Sequence, residues 1–329
     1  MTIIRFIRRI PLIGLLINNI ERKYCEITYK KRELKRMPLR EESRGNDFPD
    51  KIFFVIRRND SNVGLFSYVI SALGGIMYAL DRGYIPIIDM KNYPNPYSDE
   101  NLGDINAWEY FFEQPCKYRL EDIEHANHVI LSPGIPTWDC PNVSVLEEAD
   151  NSKIIYWKNA WKKYIRINKQ TMDYIQNKAK EIGYNYSCGV IIRGTDYIRN
   201  KPIGHPIQPT PDQAIETVNE LIKKWDYDNF FITTEDAQIY NLFKSKSKYS
   251  FTSISVFRLD DEDVTKGNIP QMISKNIGGF QHGLDYLTNV WVVSHCDSII
   301  AGKCGATLAA KLMSDYYKNE FYFDLGVYK

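Results

Sequence analysis

Residues 51–90, KIFFVIRRNDSNVGLFSYVISALGGIMYALDRGYIPIIDM, carry a complete β-α-β unit. KIFFVIR is a continuous β-rich run, the pattern of a strand buried on both faces. RNDSNVG has turn composition, and LFSYVISALGGIMYALDRG then spaces its apolar residues as a helix does, up to a glycine stop. YIPIIDM reads as the next strand. Such a unit opens a doubly wound parallel sheet.

The second half repeats the rhythm. A strand at 189–193 ends in Arg193, and PDQAIETVNELIKKW is a helix with Pro211 in its first turn. FFIT at 230–233, a helix from Ala237, SISVFRL at 253–259 as a strand, a helix over Leu284–Ser294, SIIA at 298–301 and GATLAAKLMSDYY as a last helix complete it. This alternation predicts a second parallel sheet. Between the halves, 91–165 is rich in turn formers and aromatics, with VIL at 129–131 as a strand, and a helix spans about 169–182. With 329 residues the chain can bury two cores. The expected division is a basic arm over 1–50 and Rossmann-like domains over 51–168 and 169–329.

An apolar share of 44% with 25% charged residues is that of a globular protein, and a net charge of +1 gives no general field for nucleic acid. The six cysteines form no CxxC pair, which predicts a reduced, cytoplasmic setting. His125 and His128 stand close together without a completing metal-ligand set. Residues 1–24 mix Ile and Leu with Arg5, Arg8 and Arg9 and are interrupted by Pro11 and Gly14; the apolar run is shorter than the roughly 20 residues that span a bilayer. No small-residue cleavage site follows it. Together with YKKRELKR at 29–36, this end reads either as a segment lying peripherally on an anionic membrane face or as an arm packed on the body.

Ligands of open parallel sheets collect at the carboxyl ends of the strands. Four such ends draw notice. Gly64, in DSNVGLF, lets backbone N–H groups approach a phosphate, or simply makes a tight turn. Arg193, in IRGTD, can hold a diphosphate bidentately or pair with Asp196; buried without a partner it would cost several kcal/mol, roughly. Thr234, Glu235 and Asp236 can hold ribose hydroxyls, bind a metal, act as a base, or cap the following helix. Gly305, Ala306 and Thr307, after Lys303-Cys304, form an anion seat or a close helix-to-sheet contact. Asp260-Asp261-Glu262-Asp263 is either a metal-binding run or solvated surface, and no Walker P-loop is present.

Taken in order, these motifs resemble the fucosyltransferase superfamily of α1,2-, α1,6- and protein O-fucosyltransferases. The resemblance implies a GT-B-type α/β fold, with two Rossmann-like domains whose parallel sheets face a central cleft, the first for the acceptor and the second for the nucleotide-sugar donor. Arg193 falls on the family's essential diphosphate-binding arginine, with Ile191 in place of its histidine and Gly194 in place of its second arginine. Thr234-Glu235-Asp236 stands for the family's Thr-Asp-Asp, and Lys303 to Thr307 for the helix-opening small residues, without their serine. Asn289 replaces an acid that reads the donor base, and the first turn matches at Val63, Gly64, Leu65 and Phe66.

The activity implied is an inverting, metal-independent transfer from a nucleotide-diphosphate sugar, GDP-fucose above all, to a surface polysaccharide or lipid-linked glycan. No cofactor is implied. Arg193 and the N–H groups near Gly305 would stabilise the leaving diphosphate. Asp196 is the nearest carboxylate for a base, though its family role is structural; a base from the first domain or proton loss to solvent is equally open. Two other readings stand beside this one: a metal-dependent transferase built on Asp261 and Asp263, and a non-catalytic sugar-nucleotide-binding protein.

Overall fold

The computed structural model describes residues 27–60, 63–147, 151–183, 188–194, 197–198, 201–260 and 269–329. The first sheet holds β1 (Arg40–Glu42), β2 (Asp47–Arg57), β3 (Ile85–Asp89) and β4 (Ala126–Leu131) in the order β1-β4-β2-β3. β2 lies parallel to both β3 and β4, and β1 closes the edge antiparallel to β4. The sheet therefore begins at Arg40, inside the segment expected to be an arm. The reason is compositional: β1 reads Arg-Glu-Glu, and charges are what an edge strand tolerates, so it carries no apolar run.

The second sheet is all parallel. It holds β5 (Cys188–Ile191), β6 (Asn229–Thr233), β7 (Ser250–Thr252), β8 (Ser298–Gly302) and β9 (Asn319–Phe323) in the order β7-β6-β5-β8-β9. From β5 the chain first winds outward through β6 and β7, then returns to β8 on the other side. That reversal opens a crevice between the carboxyl ends of β5 and β8. Two expectations need correction. The strand placed at 253–259 is the preceding β7, and of that stretch only Leu259 forms a bridge, to Asp236. The last helix ends at Met313, because Ser314 is extended, and a further edge strand, β9, follows it.

From Leu65 onward the helices described include α1 (Leu65–Leu80), α2 (Ser152–Tyr164), α3 (Lys169–Glu181), α4 (Pro211–Lys224), α5 (Ala237–Lys246), α6 (Ile269–Ile277), α7 (Gly279–Ser294) and α8 (Gly305–Met313). α4 starts on a capping box between Thr210 and Gln213, with Pro211 where its missing N–H costs nothing. α1 buries Leu65, Val69, Leu73 and Ile76 almost completely, since it meets β2 and β3 on one side and α2 and α8 on the other. α3 packs on α7, whereas α2 touches both α1 and α8 and so bridges the halves.

The two halves share one apolar core that runs from Phe54 and Ile56 through α1, α7 and α8 to Ile299. It is packed closely where α7 meets the 97–111 segment of the first half. A Cβ on Gly279 would stand 2.7 Å from the backbone of Tyr97 and Ser98, and one on Gly283 would stand 2.3 Å from Cζ of the fully buried Phe111. Phe280 stacks on the same Phe111 ring at 5.8 Å, which leaves the ring no direction in which to retreat. We therefore expect Gly283→Ala to destabilise the protein by about 1–3 kcal/mol through overpacking, read as a lower midpoint in thermal unfolding.

Candidate active site

A cleft of about 740 Å³ lies between the sheets. Arg58 and Gly64 line it from the first half, just past the carboxyl end of β2, and Arg193, Lys303, Cys304 and Gly305 line it from the second, past β5 and β8. Two helices begin at its wall. α1 has Gly64 as its N-cap and α8 has Cys304, and neither cap residue's side chain accepts a bond from the first turn. The first N–H groups of a helix have no partner within it, so both starts present donors and the positive end of a dipole.

Neither glycine is forced by packing. A Cβ on Gly64 would meet only Tyr286, at 3.9 Å, and one on Gly305 would meet nothing closer than 3.8 Å. Gly64 has φ −69° and ψ 158°, which any residue adopts. What each glycine provides is open space at the wall of the cleft. Ala306 and Thr307, in contrast, turn inward: both are buried, and the Thr307 hydroxyl donates to the Gly302 carbonyl at 2.5 Å. Their contribution is confined to backbone N–H groups.

Arg193 stands two residues beyond β5, and its guanidinium lies over the Tyr197 ring, 4.7 Å from the centroid. Tyr197 Oη is 3.1 Å from His205 Nδ1, and both side chains line the cleft. The loop that carries His205 is pinned by residues 326–328. Gly204 N donates to Tyr328 O at 2.9 Å, Tyr328 N to His205 O at 2.9 Å, and Ile207 N to Gly326 O at 2.9 Å. Asp196, Asp261 and Asp263, named from the sequence, lie outside the described residues.

The acidic strand end after β6 divides its labour. Asp236 caps α5, accepting from Ile239 N at 2.9 Å, and the Thr234 hydroxyl accepts from Asp236 N at 3.3 Å. A Cβ on Gly194 would approach Asp236 Cβ to 2.7 Å, so the glycine at 194 lets the loop after β5 lie on this cap. Glu235 and Thr234 instead line a small cavity of about 30 Å³, together with His282, Asp285, Tyr286 and Asn289. Asn289 Nδ2 donates to the Asp285 carbonyl at 2.8 Å, while its Oδ1 is buried with no hydrogen-bond partner among the described residues. Tyr286 lines both the cavity and the cleft and meets Phe66 edge-to-face at 5.0 Å. Burial raises the hydroxyl pKa of Tyr286; Glu235 raises it further and Arg193 lowers it, so both charges reach one ring.

Several of these groups carry no signal in the sequence patterns above. Arg58 is the second arginine of RRND; it donates to Ser67 O at 2.8 Å and Oγ at 3.0 Å, and only its place after β2 could have marked it. Lys303 is held between Asp324, at 2.8 Å, and Glu147. Burial opposes its charge, but hydrogen bonds to those two carboxylates prevail and lift the ammonium above its ordinary range. Burial alone drives the His282 imidazole down to about 4.

Among the solved structures that resemble this chain are fucosyltransferases, at identities of 16% or less. No family model matches the chain, and no curated protein sequence does. Among solved structures, NodZ α-1,6-fucosyltransferase from Bradyrhizobium, soaked with GDP-fucose, is 16% identical over 84% of this chain and 96% of its own, with a TM-score of 0.48. A variant of Arabidopsis thaliana FUT1 in complex with GDP is 9% identical over 88% of this chain and 73% of its own, at 0.48. POFUT1 in complex with GDP is 11% identical over 83% of this chain and 98% of its own, at 0.43.

Asp285 gives the site a titration of its own. Burial pushes its carboxyl from 3.8 up to about 6, against the hydrogen bond from Gln281 and the charge of Lys178. The folded state thus resists ionisation. The resulting penalty is absent below about pH 4, grows as the pH rises to about 6, and is complete above it. Asp285→Asn should stabilise the free protein by about 1 kcal/mol at pH 7, allowing for partial solvent contact, and leave it unchanged at pH 4, as compared by thermal unfolding at the two values.

Proposed function

We propose that the protein is an inverting, metal-independent glycosyltransferase that uses a nucleotide-diphosphate sugar, with GDP-fucose as the donor, and a glycan hydroxyl as the acceptor. One observation carries this reading: Arg193 enters the cleft at the reversal point of the second sheet, between the uncapped starts of α1 and α8. A fixed cation flanked by two sets of backbone donors is suited to a diphosphate. These groups supply the positive charge that a divalent ion supplies in metal-dependent transferases.

The base is argued from the neighbouring cavity. Asn289 Oδ1, the Asp285 carboxylate and Glu235 all offer acceptors there. Guanine presents adjacent N–H donors along one edge, whereas uracil presents a single N–H between two carbonyls, so an acceptor-rich rim favours guanine. A cavity of about 30 Å³ admits only the edge of a base.

In the reaction the acceptor oxygen forms a bond to the anomeric carbon from the face opposite the diphosphate. The carbon–oxygen bond to the diphosphate breaks, its electron pair passes to the leaving oxygen, and the configuration inverts. Arg193 and the helix-start N–H groups meet the charge that grows there, which lowers the barrier because the interaction strengthens in the transition state. His205 takes the acceptor proton. Its Nδ1 stands 3.1 Å from Tyr197 Oη, a contact that orients the ring at the cleft.

Thermal-shift measurements with GDP, UDP and CMP test the donor, with GDP giving the largest stabilisation and Arg193→Ala abolishing it. In transfer assays with GDP-fucose the same variant should lose on the order of 100-fold or more in kcat. Undiminished transfer in Arg193→Ala would overturn the reading, and GDP binding without turnover across an acceptor panel would favour a binding protein. His205→Gln should keep GDP binding while kcat falls about 100-fold or more.

A further inference from the structure

A helical segment at 27–36, ITYKKRELKR, lies beside the cleft and is not used by the reaction above. It packs inward through Glu33, which is 7% exposed, and Met37 closes the segment by donating its N–H to Glu33 O. Lys30, Lys31, Arg32, Lys35 and Arg36 are exposed, as are Ile27 and Tyr29. Arg32 meets Glu33 at 3.6 Å; Lys30, Lys31, Lys35 and Arg36 form no ion pair among the described residues. Its position is fixed relative to the cleft. Gly134 N donates to Met37 O at 3.1 Å, Arg57 Nη2 donates to Pro38 O at 2.8 Å, and the charges of Asp60 and Arg58 both reach Tyr29. Arg58 and Pro136 line the cleft itself.

A chain of net charge +1 that gathers five exposed cations within ten residues has a local field, not a general one. Among basic partners' ligands, a planar anionic surface fits best: the cations are interleaved with exposed Ile27 and Tyr29, an apolar and an amphipathic side chain suited to the headgroup boundary. We propose that this segment docks the protein on an anionic lipid surface and so sets the first-sheet rim of the cleft against the membrane. The inference is independent of the donor. If the transferase reading also holds, the acceptor reaches the cleft from a membrane-borne carrier.

Co-sedimentation of the full chain with vesicles of phosphatidylcholine alone, or of phosphatidylcholine with phosphatidylglycerol, tests this. The protein should pellet with the anionic vesicles only, and less as salt rises. Each cation near such a surface is worth roughly fivefold in partitioning, so Lys30→Glu, Lys31→Glu, Lys35→Glu and Arg36→Glu together should lower binding on the order of a hundredfold or more. Circular dichroism confirms that the variant remains folded; because these side chains are exposed, its thermal midpoint should not move. Equal binding to neutral vesicles, anionic binding unchanged in the fourfold variant, or capture of a single-stranded RNA oligonucleotide with the vesicles left unbound would each overturn the proposal.

Discussion

The contact between α7 and the 97–111 segment governs the rest of the molecule. With Gly279 against the Tyr97–Ser98 backbone and Gly283 against Phe111, the second half can sit at only one distance from the first. The cleft inherits its width from that distance. Had either position carried a side chain, α7 would stand farther off, and Tyr286 would no longer reach Phe66 at 5.0 Å. The loops after β2, β5 and β8 converge because a packed core, not a hinge, holds their strands in relation.

Within that frame, polar groups are sorted by burial. Asp236, Thr234 and Thr307 are satisfied by backbone partners and stiffen the wall. Asn289 and Asp285 are instead left with acceptor capacity in a small cavity, at a cost that the free protein bears in the raised carboxyl pKa. Such arrangements persist where a ligand completes them. Lys303 shows the opposite solution: a buried ammonium at the cleft wall whose two carboxylate partners are already in place.

Much of the fold was legible in the sequence because parallel strands buried on both faces announce themselves as apolar runs, and β2, β3, β6 and β8 are of that kind. The edge strands were not. β1 is Arg-Glu-Glu, and β9 mixes Asn and Glu with aromatics that resembled the tail of a helix. The candidate site was legible at Arg193, Gly64 and Gly305, which line the cleft where sheet topology puts ligands. It was illegible at Arg58, Asp285 and His205. These residues lie far apart in sequence, and only the crossing of β5 to β8 and the α7 contact bring them to the cleft and to the small cavity beside it.

The pairing of residues 326–328 with the loop at 204–207 also has a meaning for how the chain is made. Synthesis delivers the amino end first, and domains tend to fold as they emerge. Both sheets have the strands described above once β9 is out, yet the loop bearing His205 still lacks its backbone partners at 326–328. The loop is thus completed only after β9, by a few backbone hydrogen bonds from residues that belong to neither sheet. A nascent chain halted after Phe323 would possess the whole architecture without the means to hold His205 in place.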